Sequence, residues 1–415
     1  MNGPEPMRID RRRLLVGGTA AIGGMAFLPS GSRPALRFLL PRAGAPVAST
    51  RTLVVLQLSG GNDGLSMVVP YGDDVYNQSR RLTRIDAKEV LAIDKYRGLH
   101  PALKKLKAEY DHGRLAIVEG CGYPDPIRSH FRSMEIWHTA QAKGRSAGEG
   151  WIGKLADAMW GKEAGAELVV HVGANAPFSV YSVGHPAVAF ATPEGYRWVA
   201  TDRDDLEAYR ESGGGKEERK DGKRVLDRIR DVLADAQESS LKIRKAAAGY
   251  RPKVAYPQGE FGNSLRAAAA VIDARIGTRV ISLELGGFDS HNNQRNQHDD
   301  RMRRLDEGLG AFLEDLHGTS AGDDVVVMTF SEFGRRVKEN GSGGTDHGVA
   351  GPMFVAGSKV KGGLHGKHPS MTELKDGDLA HTTDFRSVYG TLIEKWLGVD
   401  PTKPLDARYP TLAVV

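Results

Sequence analysis

Apolar residues in this chain come in short unbroken runs rather than in strict alternation. Residues 52–58 read Thr-Leu-Val-Val-Leu-Gln-Leu and are followed at once by Ser59-Gly60-Gly61. A run of that length closed by glycines predicts a strand buried on both faces, as in a parallel sheet. Similar runs predict strands at 114–119, 167–172, 279–285, 324–329 and 352–356. Helical periodicity predicts helices over 101–110, about 297–316 and 383–397, and a further helix starting near Ser129, after the Gly/Pro-rich turn of 120–128. Strands alternating with helices predict an α/β fold with three layers and a mostly parallel central sheet. Residues 202–250 break the pattern: they are charged, contain Gly213-Gly214-Gly215, and read as a loop followed by a long helix. Residues 175–275 are therefore expected to form a helical and loop insertion, or cap, on that core. No internal repeat is present.

The amino-terminal segment has a different pattern. Arg11, Arg12 and Arg13 precede a mildly apolar, glycine-rich run from Val16 to Leu28, closed by Pro29. A basic start, a short apolar stretch and a helix-breaking end mark a secretory signal, and paired arginines point to the twin-arginine route. The run carries Gly17, Gly18, Gly23 and Gly24 and is too short for a stable membrane span, which takes about 20 apolar residues. Residues 1–48 are thus expected to be a twin-arginine signal peptide, with Ala45 or Ala48 near the cleavage point, and 49–415 the exported domain, periplasmic or secreted. The twin-arginine translocase is its expected partner during export.

That segment holds Arg8, Arg11, Arg12, Arg13, Arg33, Arg37 and Arg42 against Glu5 and Asp10, which accounts for the whole formal net charge of +5. The remainder is near neutral, so its charge implies no nucleic-acid partner. Cys121 is the one cysteine, so no intrachain disulfide forms, and stability must come from packing or bound metal.

Ligands of parallel sheets bind beyond the carboxyl ends of the strands. Here those ends carry metal-type side chains: Asp63 after the first strand, Asp289 and His291 after 279–285, Glu332 after 324–329, and Asp346-His347 before 352–356. Carboxylate oxygen with imidazole nitrogen suits zinc, manganese or iron, and carboxylates alone suit calcium or magnesium. Singly, an aspartate after a strand is more often a turn or helix cap. Jointly, four segments place acids or histidines at one edge.

A nucleophile candidate lies between these clusters. Ser129 stands at a predicted helix start, where N–H groups and the positive end of the helix dipole favour an anion. The plain alternative is a helix N-cap. Arg128 and Arg132 are candidates to hold phosphate or sulfate oxygens, and His130 a base or further ligand.

These residues resemble those of the DUF1501 family of exported bacterial proteins. The likeness rests on Leu58-Ser59-Gly60-Gly61-Asn62-Asp63-Gly64-Leu65, Arg128-Ser129-His130-Phe131, Gly287-Phe288-Asp289-Ser290-His291, Thr329 to Arg335, Thr345-Asp346-His347-Gly348 and Thr383-Asp384-Phe385-Arg386. That family is similar to the alkaline phosphatase and sulfatase superfamily. The resemblance implies an alkaline-phosphatase-like three-layer sandwich with two divalent metal ions (zinc, manganese, calcium or magnesium) at the strand ends. It implies Asp63 as a ligand of one metal, Ser129 as nucleophile, and Asp289 with His291 as ligands of the other. The superfamily commonly spaces that last pair by four residues, and here the spacing is two, with Asn293 at the usual place. Either Glu332 replaces the usual aspartate and His347 is the separate histidine ligand, or Asp346 and His347 keep the usual roles across a longer loop. His365, His368 and His381 are further candidates. Neither Cys121 nor Ser129 has the proline spacing of a formylglycine sulfatase.

The expected function is an exported, metal-dependent hydrolase of a phosphate or sulfate ester with a serine nucleophile. Its substrate would be an anionic ester, carried on a polysaccharide or a lipid. The alternative is a non-catalytic envelope protein of the same fold that binds polysaccharide or a protein partner.

Overall fold

The computed structural model describes residues 50–142, 148–159, 165–182, 184–196 and 220–415, and side chains of the 220–249 helix from 235 onward. The expected signal peptide lies outside the described residues. No described helix is long and apolar enough to cross a membrane.

One nine-stranded sheet organises the chain. In chain order its strands are β1 (Thr52–Leu58), β2 (Leu115–Gly122), β3 (Val169–Val172), β4 (Val188–Phe190), β5 (Val280–Leu285), β6 (Val325–Phe330), β7 (Gly351–Ala356), β8 (Gly363–His365) and β9 (Thr383–Asp384). They lie in the order β8-β2-β7-β6-β1-β5-β3-β4, with β9 paired to β2. β1 sits at the centre, hydrogen-bonded in parallel to β5 on one side and β6 on the other. All seven of its residues are buried, as its unbroken apolar run requires. β7 alone runs antiparallel, against both β6 and β2, so the sheet is mostly parallel.

The layers follow from the pleat. Val54, Leu56 and Leu58 of β1 point into one core, shared with helices Lys104–Asp111, Glu260–Asp273 and Gln294–Leu316. Leu53 and Val55 point into the other, shared with helices His130–Thr139, Trp151–Met159 and Phe385–Thr391. Successive strand residues face opposite ways, so one sheet buries two helical layers. This is the three-layer α/β sandwich expected from the sequence.

One boundary differs. β2 continues to Gly122, where a turn was expected from Gly120, because β7 and β9 both pair with its last residues. Both ends of the 175–275 segment, expected to be an insertion, pack with the core. β4 is an edge strand of the main sheet, and Ala267–Ile272 lie in the first core. The run of four small alanines, Ala267 to Ala270, lets the helix sit close on β5.

Candidate metal centre

Four chain segments converge beyond the carboxyl ends of β1, β5 and β6. After β1 the chain turns through Gly60, whose φ is +115° and whose N–H donates to Glu332 Oε1 at 2.9 Å. Only glycine fits here: a Cβ would lie 2.5 Å from the Asp289 nitrogen. After β6 comes Glu332, fully buried. The chain then doubles back, with Arg335 and His347 bridged antiparallel. Arg336 N–H donates to Asp346 O at 3.0 Å and Gly348 N–H to Gly334 O at 2.8 Å. This return brings Asp346 and His347 beside Glu332 despite their distance in sequence. The helix His130–Thr139 is pinned at its start by Ser133, whose hydroxyl donates to Glu332 O.

Three imidazoles then face one carboxylate. His130 Nδ1 lies 2.8 Å from Glu332 Oε1, His347 Nδ1 2.8 Å from Arg128 O, and His291 Nδ1 3.3 Å from Asp346 Oδ1. Carboxylate and carbonyl oxygens only accept, so each Nδ1–H can donate outward, the tautomer that leaves Nε2 free to ligate a cation. Those three Nε2 atoms lie 3.4, 3.2 and 3.0 Å from Asp289 oxygens, for His130, His347 and His291 respectively. His291 Nε2 and His347 Nε2 are only 2.9 Å apart, an approach that two lone pairs resist unless a proton or cation lies between them. His130 Nε2 is buried without a hydrogen-bond partner among the described residues.

The donor set fits a cation. His130, Asp289 and His347 each offer one ligand atom, all within 4.8 Å of one another, and His291 adjoins them. Ligand atoms bound tetrahedrally to zinc at about 2.0–2.1 Å lie roughly 3.3 Å from each other, close to the 3.0–3.4 Å between the three Nε2 atoms and Asp289. The outer acceptors Glu332, Asp346 and the Arg128 carbonyl hold the rings in that tautomer, as carboxylates and carbonyls do behind metal-binding histidines.

Arg335 completes the electrostatics. Its guanidinium is buried, donates to Asp289 Oδ1 at 2.7 Å, and is held by the carbonyls of Gly60, Gly61, Phe288 and Thr345. Burial opposes ionisation of Asp289. The hydrogen bonds from Arg335 and His347, with the Arg335 charge, outweigh that and hold its carboxyl at about 2. Burial lowers the His347 imidazole, against the hydrogen bonds to Arg128 O and Asp289. A carboxylate with a neutral imidazole beside it is the protonation state that a cation needs.

Of the residues singled out from the sequence, the structure brings together His130, Asp289, His291, Glu332, Asp346 and His347, with Glu332 and Asp346 behind the rings. His130, read first as a base, stands among the inner donors. Asp63 is not brought in. Its carboxylate caps the short helix Gly64–Met67 and receives Arg80, Ser66 Oγ at 2.6 Å and Gln294 Nε2 at 2.6 Å. Burial would raise its pKa, but the Arg80 charge and hydrogen bond hold it at about 2. Both oxygens are therefore engaged in a buried ion pair apart from the histidine cluster. Ser129 is exposed at the start of its helix and makes no side-chain capping bond. It lies in the chain between the Arg128 carbonyl that holds His347 and the His130 ring. Arg132 is turned to Glu135 on its own helix. His365 bonds Lys361 O, His368 bonds Glu119, and His381 is not in the cluster. Arg335 and Gln294 lay in the sequence without an assigned role, since nothing in their spacing shows what they touch.

The family model described as "Protein of unknown function (DUF1501)" matches residues 116–406, from β2 through the last helix. The chain belongs to the DUF1501 family. No curated protein matches it. Similar solved structures include a protein in the alkaline phosphatase superfamily from Vibrio parahaemolyticus, 12% identical over 97% of this chain and 78% of that one, with a TM-score of 0.39. PsFucS1 sulfatase from Pseudoalteromonas sp. is 12% identical over 87% of this chain and 70% of that one, with a TM-score of 0.37. Thermus thermophilus alkaline phosphatase is 14% identical over 75% of this chain and 64% of that one, with a TM-score of 0.32. Scores and identities this low carry no argument about chemistry, so the reading of this DUF1501 chain rests on its own residues.

Proposed function

We propose that the chain is a metal-dependent hydrolase of a phosphate or sulfate ester, exported by the twin-arginine route. The observation that carries this reading is the grouping of His130, Asp289 and His347, whose ligand atoms all lie within 4.8 Å of one another. Those three would hold the ion, with His291 beside them, and zinc suits such a set of imidazoles and carboxylate best. A bound divalent ion would supply Lewis acidity and a lowered pKa for a coordinated hydroxyl or water.

The chain's own groups do the rest. Arg335, fixed by four carbonyls, keeps Asp289 ionised and adds positive charge beside the point where ester oxygens would sit. Glu332 and the Arg128 carbonyl hold two rings in place without touching substrate. Ser129 offers a hydroxyl free of capping duty at the positive end of a ten-residue helix. It is the group we assign to attack the phosphorus or sulfur and displace the alcohol, its proton passing to the leaving oxygen, after which water would hydrolyse the serine ester and restore the hydroxyl.

Ser129→Ala should abolish hydrolysis of a chromogenic phosphate or sulfate ester while metal content stays at the wild-type level. Hydrolysis at the wild-type rate in that variant removes the nucleophile assignment. A second reading is favoured by one observation: Asp63 is locked to Arg80, so the described cluster offers fewer donors than the two-metal arrangement implied by the family resemblance. On that reading the protein is a binding protein of the envelope with one structural ion. It predicts a metal-loaded protein that hydrolyses neither ester.

A further inference from the structure

Beside the metal centre, two arginines are drawn to one buried acid. Asp378 is wholly buried, in a turn where Lys375 and Asp378 exchange backbone hydrogen bonds of 2.9 and 3.0 Å. Its neighbour Leu379 and the nearby Met371 pack into the small core that also holds Val337 and Ala350, so the turn is anchored. Arg128 donates from Nη2 to Asp378 Oδ2. Arg336 approaches the other oxygen with Nε at 3.4 Å and donates from Nη2 to Asp376 O at 3.2 Å. Oδ1 is buried and makes no hydrogen bond among the described residues.

Both arginines belong to backbone that touches the cluster directly. The Arg128 carbonyl accepts from His347 Nδ1, and the Arg336 N–H donates to the Asp346 carbonyl. Their side chains are 39% and 37% exposed. Among the described residues no partner is found for Nε and Nη1 of Arg128 or for Nη1 of Arg336. The two guanidinium groups share the Asp378 carboxylate, and at least three of their N–H donors have no partner among the described residues. Guanidinium forks match the oxygens of a tetrahedral oxyanion.

We propose that Arg128 and Arg336 form a paired seat for a tetrahedral oxyanion, and that Asp378 is the positioning residue holding both. The seat gives the hydrolase reading its substrate recognition and rests on it for purpose, but binding tests it without turnover. Arg336 takes the place that the sequence suggested for Arg132. Asp378 acts through the arginines and touches no substrate.

The test is calorimetric titration of the full chain with inorganic phosphate and, separately, inorganic sulfate, in chelator so that metal does not contribute. Wild type should bind. Arg128→Gln and Arg336→Gln should each weaken binding about tenfold, as expected for lost charge-assisted bonds. Both side chains are over a third exposed, so the fold should survive, and unchanged thermal unfolding confirms it. Asp378→Asn decides the positioning role. Removing a negative charge alone would tighten anion binding, whereas releasing two tethered arginines weakens it, and we expect weakening of about fivefold or more. Wild type that binds neither anion, or a double arginine variant that binds as wild type does, overturns the seat. Tighter binding in a folded Asp378→Asn overturns the positioning role. If wild type hydrolyses esters and the double arginine variant leaves KM unchanged, the seat falls while the hydrolase stands. If wild type binds phosphate through these arginines but turns over no ester, the hydrolase falls and the seat stands.

Discussion

Glu332 and Asp63 are both buried acids at strand ends, yet they do different work. Glu332 lies behind a histidine, and Asp63 lies against an arginine. Glu332→Gln keeps the shape but can turn its amide either way, so the His130 tautomer is no longer enforced. Metal affinity measured by competition with a chelating dye should fall about 10- to 100-fold. An unchanged affinity would remove Glu332 from the support of the site. Asp63→Asn leaves Arg80 buried without its counter-charge and should cost about 3–5 kcal/mol in denaturant unfolding while retaining the metal. The pair also sets a pH dependence. The folded carboxyl, at about 2, lies below the ordinary aspartate value of 3.8. Its contribution is therefore present above about pH 4 and is lost as pH falls through 2. The Asp63→Asn variant should lack that acid-side loss of stability, seen by comparing its unfolding midpoints with wild type from neutral pH downward. Neither role was legible from one sequence. An aspartate after a strand has the same signature whether it meets a cation, a helix end or an arginine, and Arg80 and Gln294 come from distant segments.

At the scale of elements, the parallel core was the most legible part. β1, β5 and β6 are mostly apolar runs because each is covered on both faces over most of its length, with Glu284 the exposed exception in β5, and that pattern survives any change of neighbour. The antiparallel direction of β7 was not legible, since periodicity reports burial and not direction. The return of the chain from Glu332 to His347 was also hidden: its glycines announce a loop, but only the bridge between Arg335 and His347 shows that it doubles back. This explains why Asp346-His347 sits away from its strand and still reaches the site. The turn at Gly60 joins two elements by direct contact. Gly60→Ala would force its Cβ against the Asp289 backbone and a side chain into a left-handed conformation, at a cost on the order of 1–3 kcal/mol. Metal content and unfolding free energy should fall together, because Asp289 moves. Full metal content in Gly60→Ala would show that the loop after β1 does not position Asp289.

For the whole molecule, the domain of residues 49–415, near neutral and without disulfides, has packing as its source of stability, and on the proposed reading a bound metal as well. Two cores on one sheet supply the packing. If the ion binds the folded chain alone, free metal at a hundredfold excess over Kd adds about 2.7 kcal/mol, enough to move the thermal midpoint by several degrees in a chain of this size. Chelator should reverse the shift, and a midpoint indifferent to chelator would count against an ion bound tightly by the folded state. Export through the twin-arginine route would let the protein fold and load its ion first, which suits ligands that do not by themselves select one metal. The ion is tested most directly by elemental analysis of wild type beside an Asp289→Asn, His347→Ala double variant. About one divalent ion per wild-type chain is expected, and almost none in a folded double variant. Metal-free wild type of full stability, or a double variant with undiminished metal, would contradict it.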